Sequence, residues 1–149
     1  MLHTLEQHFR SLTGSRIVLG VTGFARAGKT VFIGALAQAL LTAEHWRAHR
    51  GQGPLAGFGS FERGELMDAH IRDDVSPHLP QFPFRKVRDA LAGQSGHWPQ
   101  PTEGDSRLVL ELRLRPPSGV RGWFSQNVSD TIFGNGRVRL EIVDYPASG

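Results

Sequence analysis

Eight consecutive residues, Gly23, Phe24, Ala25, Arg26, Ala27, Gly28, Lys29 and Thr30, restrict what this chain can fold into more than anything else in it. They fit G-x-x-x-x-G-K-[ST], a pattern that has a purpose where a buried strand hands over to a helix. Both neighbours are present. Ile17, Val18, Leu19, Gly20 and Val21 form an apolar run of strand length, and a helix-period run extends from Val31 to Leu41. The glycines let the backbone turn tightly, so that successive N–H groups face phosphate oxygens, and the new helix adds its positive end. In such a loop Lys29 reaches the β/γ-phosphates and the Thr30 hydroxyl ligates Mg²⁺. A glycine-rich turn with an exposed lysine is the competing reading, and it accounts for neither flank.

The 149 residues suit one domain with a real core, and 18 Gly with 9 Pro imply long loops. Without cysteine there are no disulfides or thiolate metal sites, and a cytoplasmic setting is expected. No apolar run approaches the roughly 20 residues that span a bilayer. Leu2, Leu5, Phe9 and Leu12 fall on one helical face with Gly14 as a cap, a short helix expected to pack on the domain. Net charge is +3, from fifteen Arg and two Lys against 14 acids. The arginines are scattered among acids, without a basic stripe, so nucleic-acid binding is not expected. In so lysine-poor a chain, the Lys at position 29 is informative, because a compact ammonium is what a phosphate loop uses.

The strand over residues 16–22 reads as central and covered on both faces. The helix is expected over residues 29–47, with Phe32, Ile33, Leu36, Ala37, Leu40 and Leu41 toward the core. His45 and His49 at i, i+4 suit the negative end of that helix better than a metal. Residues 51–105 read as an irregular insertion containing two helical patterns, over residues 62–71 and 84–91. Arg107, Val109, Glu111 and Arg113 alternate with Leu108, Leu110, Leu112 and Leu114, a strand with one wet face, expected at a sheet edge. Residues 137–144 begin with the same alternation after an Asn135-Gly136 turn, and the two strands are expected to pair antiparallel. Trp123, Phe124, Ile132 and Phe133 between them are expected to cover local core.

Asp144 ends the last strand, where a Walker B acid holds Mg²⁺; a turn-capping Asp is the plainer alternative. The element order is that of Ras and translation-factor GTPases, a three-layer α/β/α fold around a P-loop. In that class a Thr before the edge strand senses the γ-phosphate, and Thr102 is the candidate. Three segments follow: residues 16–50 with the strand, loop and helix, the insertion at 51–105, and the strand pair at 106–149.

Thr22 to Ile33, Phe82-Pro83-Phe84, Trp98-Pro99-Gln100-Pro101-Thr102 and Ile142-Val143-Asp144-Tyr145-Pro146 together resemble the YcjX-like family of bacterial P-loop proteins. The resemblance implies a cytoplasmic, stress-associated nucleotide-binding protein, a GTPase by preference, with a possible membrane-associated protein partner. By position it puts Gly23 to Thr30 on phosphate and Mg²⁺, Thr102 at a switch and Asp144 beside the metal. Where the family continues Gly-Glu-Trp after Asp-Tyr-Pro, this chain has Ala147-Ser148-Gly149, so γ-phosphate sensing there is in question and an incomplete domain is expected. The expected activity is hydrolysis of GTP, or second of ATP, with Mg²⁺. A nucleotide-dependent switch that acts by partner binding is the alternative.

Overall fold

The computed structural model describes residues 15–24, 26–49, 51–73, 78–94, 96–100, 104–115 and 136–145. The expected N-terminal helix, Ala25, Thr102, the expected core cover of Trp123, Phe124, Ile132 and Phe133, and the chain after Tyr145 lie outside them. Among these residues four strands form one mixed sheet: β1 (Ser15–Val21), β2 (Leu66–Ile71), β3 (Ser106–Leu114) and β4 (Arg137–Asp144), in the order β1-β4-β3-β2. β4 runs parallel to β1 and antiparallel to β3, and β2 runs antiparallel to β3. The helices are α1 (Lys29–Leu41), α2 (Ala43–Trp46), α3 (Gly59–Glu62) and α4 (Phe84–Leu91), with a 3-10 turn at Arg47–His49.

Alternation along β3 and β4 sorts the sheet into two unlike faces. Leu108, Leu110 and Leu112 join Val138, Leu140 and Ile142 in one apolar cluster, completed by Ile33, Ala37 and Leu40 of α1, Phe61 of α3 and Val87 of α4. The other face carries Arg16, Arg107, Arg139 and Glu141, with Glu111, His70 and Arg72 alongside. The described residues thus supply two of the three expected layers, a sheet and the helices on one face of it.

Several expectations need correction. Residues 62–71 are not helical. α3 stops at Glu62, Gly64 turns left-handed at φ 70° with its N–H on the Phe61 carbonyl, and β2 follows. Leu66, Met67 and Ile71 suit either period, and the free edge of β3 decides, because backbone ladder bonds are available there. β3 is consequently an interior strand, and β2 takes the edge. The helix expected to reach residue 47 breaks at Thr42, whose hydroxyl donates to the carbonyls of Gln38 at 2.8 Å and Ala39 at 3.2 Å. That back-bonding competes with the helix ladder and bends the chain. Phe32 is 51% exposed rather than in the core. β1 is not covered on both faces: Ile17 and Val18 are 52% and 51% exposed, and among the described residues only β4 pairs with it. The expected wet face of β3 is also partly closed, since Val109 is buried.

α1 meets α4 through Gly34. A Cβ there would stand 2.5 Å from a methyl of Val87 and 3.4 Å from one of Leu91. Gly34→Ala gains roughly 1 kcal/mol of helix propensity but overpacks a stiff β-branched neighbour at a cost of roughly 1–3 kcal/mol. A net loss of about 1 kcal/mol is expected in urea unfolding. Adding Val87→Ala should make the glycine replacement neutral or better, and equal costs in both backgrounds would refute the close contact.

Candidate functional site

The site lies where β1 and β4 end side by side. Their parallel register pairs Val21 with Asp144, and the Tyr145 N–H continues the ladder to the Val21 carbonyl at 3.0 Å. The chain then leaves β1 through the glycine loop. The Ala27 N–H bonds the Phe24 carbonyl at 3.1 Å, and the Phe32 N–H bonds the Gly28 carbonyl at 2.8 Å, the first turn of α1. Gly28 caps α1 in the left-handed conformation, φ 84° and ψ 14°, with no side-chain cap and no acid in the first turn. A positive helix end without its own carboxylate is left available to an anion. Arg26 is also left-handed, at φ 64°, the one described non-glycine residue with positive φ. Its side chain is exposed.

Lys29 folds back across the loop. Its Nζ donates to the Gly23 carbonyl at 2.9 Å and the Phe24 carbonyl at 3.4 Å. These oxygens hold the ammonium at the mouth of the loop, where a phosphate would exchange them for stronger, charged acceptors. Thr30 follows on the first turn of α1 and is 9% exposed.

Asp144 is 1% exposed. Seven residue pairs of β1 and β4 hold it beside the loop's entry. Opposite it in the antiparallel ladder stands Ser106, 5% exposed, whose hydroxyl oxygen is buried without a hydrogen-bond partner among the described residues. Leaving such a group unpaired costs about 1–3 kcal/mol. The structure therefore brings together the described loop residues Gly23, Phe24, Arg26, Ala27, Gly28, Lys29 and Thr30 with Asp144. Ser106 had no signal in the sequence, because only the β3–β4 register places it. Gly20 was passed over for the same reason: a Cβ on it would lie 3.1 Å from the Tyr145 ring, which covers β1 at this point.

A buried hydroxyl and a buried carboxylate are hard oxygen donors, the set Mg²⁺ accepts. No cluster of three or more His, Cys, Asp or Glu stands ready as a metal cage among the described residues. Mg²⁺ takes one or two protein ligands and completes its shell with water and phosphate. Thr30 and Asp144 fit such an ion.

Behind the site, Glu141 fastens β1 to β4 on the helix-free face. Arg16 binds it with two parallel hydrogen bonds, Nε to Oε1 at 2.8 Å and Nη2 to Oε2 at 2.9 Å. Arg107 and Arg139 approach it at 3.3 and 3.2 Å. The Arg16 hydrogen bonds, with the charges of all three arginines, hold its carboxyl below the ordinary glutamate range against the opposing pull of burial.

A parallel strand, a glycine loop, a helix and an acid ending the neighbouring strand, on a mixed sheet, place the molecule in the α/β class with a P-loop-like arrangement. Sequence comparison narrows this further. The profile of the YcjX-like family, DUF463, matches residues 17–148. A Ras-like GTPase YcjX of Shewanella oneidensis is 30% identical over 97% of this chain and 30% of its own length. A Ras-like GTPase YcjX of Escherichia coli is 33% identical over 86% of this chain and 24% of its own length. The chain belongs to the YcjX-like family, and it spans less than a third of the length of these two relatives. No helix among the described residues is long and apolar enough to cross a membrane.

Proposed function

We propose that this chain carries the phosphate- and Mg²⁺-binding part of a nucleoside-triphosphate hydrolase, with GTP favoured over ATP. The observation that carries the reading is the juxtaposition of Lys29, poised on loop carbonyls, with Asp144, buried at the end of the adjacent parallel strand. In this reading the loop amides and the α1 N-terminus bind the β- and γ-phosphate oxygens, and the Lys29 ammonium lies against them. Thr30 and Asp144 hold the cation, directly or through water. Bound Mg²⁺ supplies neutralisation of the negative charge that gathers on the transferred phosphoryl oxygens. Thr102 is proposed as the residue that senses the γ-phosphate. Preference for GTP is supported by the antiparallel β3–β4 pair, a feature of the Ras and translation-factor class, and by the names of the two relatives. The wider role proposed is that of a cytoplasmic, stress-associated protein with a protein partner.

Release of γ-labelled phosphate from GTP and from ATP, measured on the full-length protein, tests this. GTP turnover should require Mg²⁺, and Asp144→Asn should lower it about tenfold or more by weakening the metal. Turnover that ignores both magnesium and Asp144 would overturn the reading. Tight GTP binding without release would leave a nucleotide switch in place of an enzyme.

A further inference from the structure

We propose that Ser106 is a positioning residue for the divalent cation, donating its hydroxyl hydrogen to the Asp144 carboxylate when that carboxylate turns to the metal. The inference rests on the reading that Asp144 serves Mg²⁺. Three observations carry it. Ser106 and Asp144 are direct partners in the β3–β4 ladder, so both side chains leave the sheet on the same face. Cβ atoms of such partners stand about 4.5–5.5 Å apart, close enough for a serine hydroxyl and an aspartate oxygen to meet by rotation about χ1. The Ser106 oxygen is fully enclosed and has no hydrogen-bond partner among the described residues.

An enclosed hydroxyl with nothing to bind is costly, and alanine or valine would fill the position without that cost. The orphan sits at the end of the sheet where the loop begins, across from a buried acid, rather than somewhere along the leucine-lined interior of β3. A carboxylate that ligates a metal through one oxygen leaves the other to be fixed by a neighbouring donor, and such outer contacts set the orientation of the ligand. Ser106 has the chemistry, the register and the free hydrogen for that contact.

The test is a Mg²⁺ titration of fluorescent GTP-analogue binding to the full-length protein, with parallel binding in EDTA. Ser106→Ala should raise the half-saturating Mg²⁺ concentration about tenfold while leaving affinity in EDTA unchanged. Its melting temperature without ligand should equal or exceed that of wild type, since an unpaired group has been removed. Ser106→Thr, which restores a hydroxyl on a strand-compatible side chain, should recover the wild-type Mg²⁺ requirement. An unchanged Mg²⁺ requirement in Ser106→Ala overturns the inference. So does an equal loss of affinity with and without Mg²⁺, which would mark a packing role. Wild-type binding that is indifferent to Mg²⁺ would overturn the underlying reading of Asp144 instead.

Discussion

Replacing Lys29 by alanine is expected to weaken triphosphate binding by roughly 10²- to 10³-fold while hardly moving the melting temperature of the ligand-free protein. The asymmetry follows from what the ammonium touches in each state. Without ligand, Nζ donates to two loop carbonyls, Gly23 at 2.9 Å and Phe24 at 3.4 Å, at the exposed mouth of the loop. Water can replace Lys29 at both, so the fold loses little. In the proposed complex the same ammonium would face phosphate oxygens beside the loop's backbone N–H groups. Removing one member of such a charge pair costs roughly 2–5 kcal/mol, and every 1.4 kcal/mol is tenfold in affinity. Lys29→Arg should rescue only in part, because the planar guanidinium is larger and more rigid than the point charge the loop encloses. Titration of the full-length protein with a fluorescent GTP analogue measures the effect, and thermal unfolding without ligand supplies the control. Undiminished affinity in Lys29→Ala would mean that the loop does not hold phosphate.

The loop was legible in the sequence because its chemistry is local: glycines, a lysine and a threonine at fixed offsets between a strand and a helix. β4 and α4 were legible for a similar reason: β4 opens on a clear alternation and α4 keeps its helical period throughout. What escaped was decided by neighbours. Leu66, Met67 and Ile71 fit a helix as well as a strand, and the vacant edge of β3 chose the strand. The position of β3 inside the sheet was hidden for that reason too. The break of α1 at Thr42 depended on which carbonyls its hydroxyl would reach, a competition that hydrophobic periodicity does not register. At the site, Asp144 announced itself by ending an apolar strand. Ser106 opens its strand without any marking and acquires a partner only through register. Residues whose meaning comes from pairing across strands are invisible until the pairing is known.

Glu141→Gln is expected to lower the melting temperature by about 4–8 °C at neutral pH, and the difference should shrink as the pH falls below 4.5. Glu141 is buried and gathers Arg16, Arg107 and Arg139. Breaking a buried ion pair costs roughly 3–5 kcal/mol, but the Arg16 side chain is 60% exposed and recovers hydration once freed. About 2 kcal/mol is the reasonable expectation after that discount, and roughly 2–4 °C accompanies each kcal/mol in a protein of 150–250 residues. The pH dependence has a definite sign. The folded carboxyl titrates below its ordinary value of 4.5, so between the two values the unfolded chain binds more protons and stability rises with pH. The contribution is fully present above about 4.5, and it is lost as pH falls through the lowered folded value. Glutamine carries no titrating proton, so its stability curve should run below wild type at neutral pH and converge with it in acid. Glu65, held low chiefly by its hydrogen bond from Arg63, keeps part of the acid limb in both proteins. Thermal unfolding from pH 3 to 7 measures the gap, and coincident curves across that range would show that the Arg16 clamp contributes nothing. The same variant probes the link from fold to site. Glu141 lies opposite Val18 and three residues before Asp144, yet seven backbone pairs still hold β4 to β1 without its side chain. Nucleotide affinity should therefore fall only a few-fold, far less than for Lys29→Ala, because the backbone ladder rather than the ion cluster sets Asp144 beside the loop.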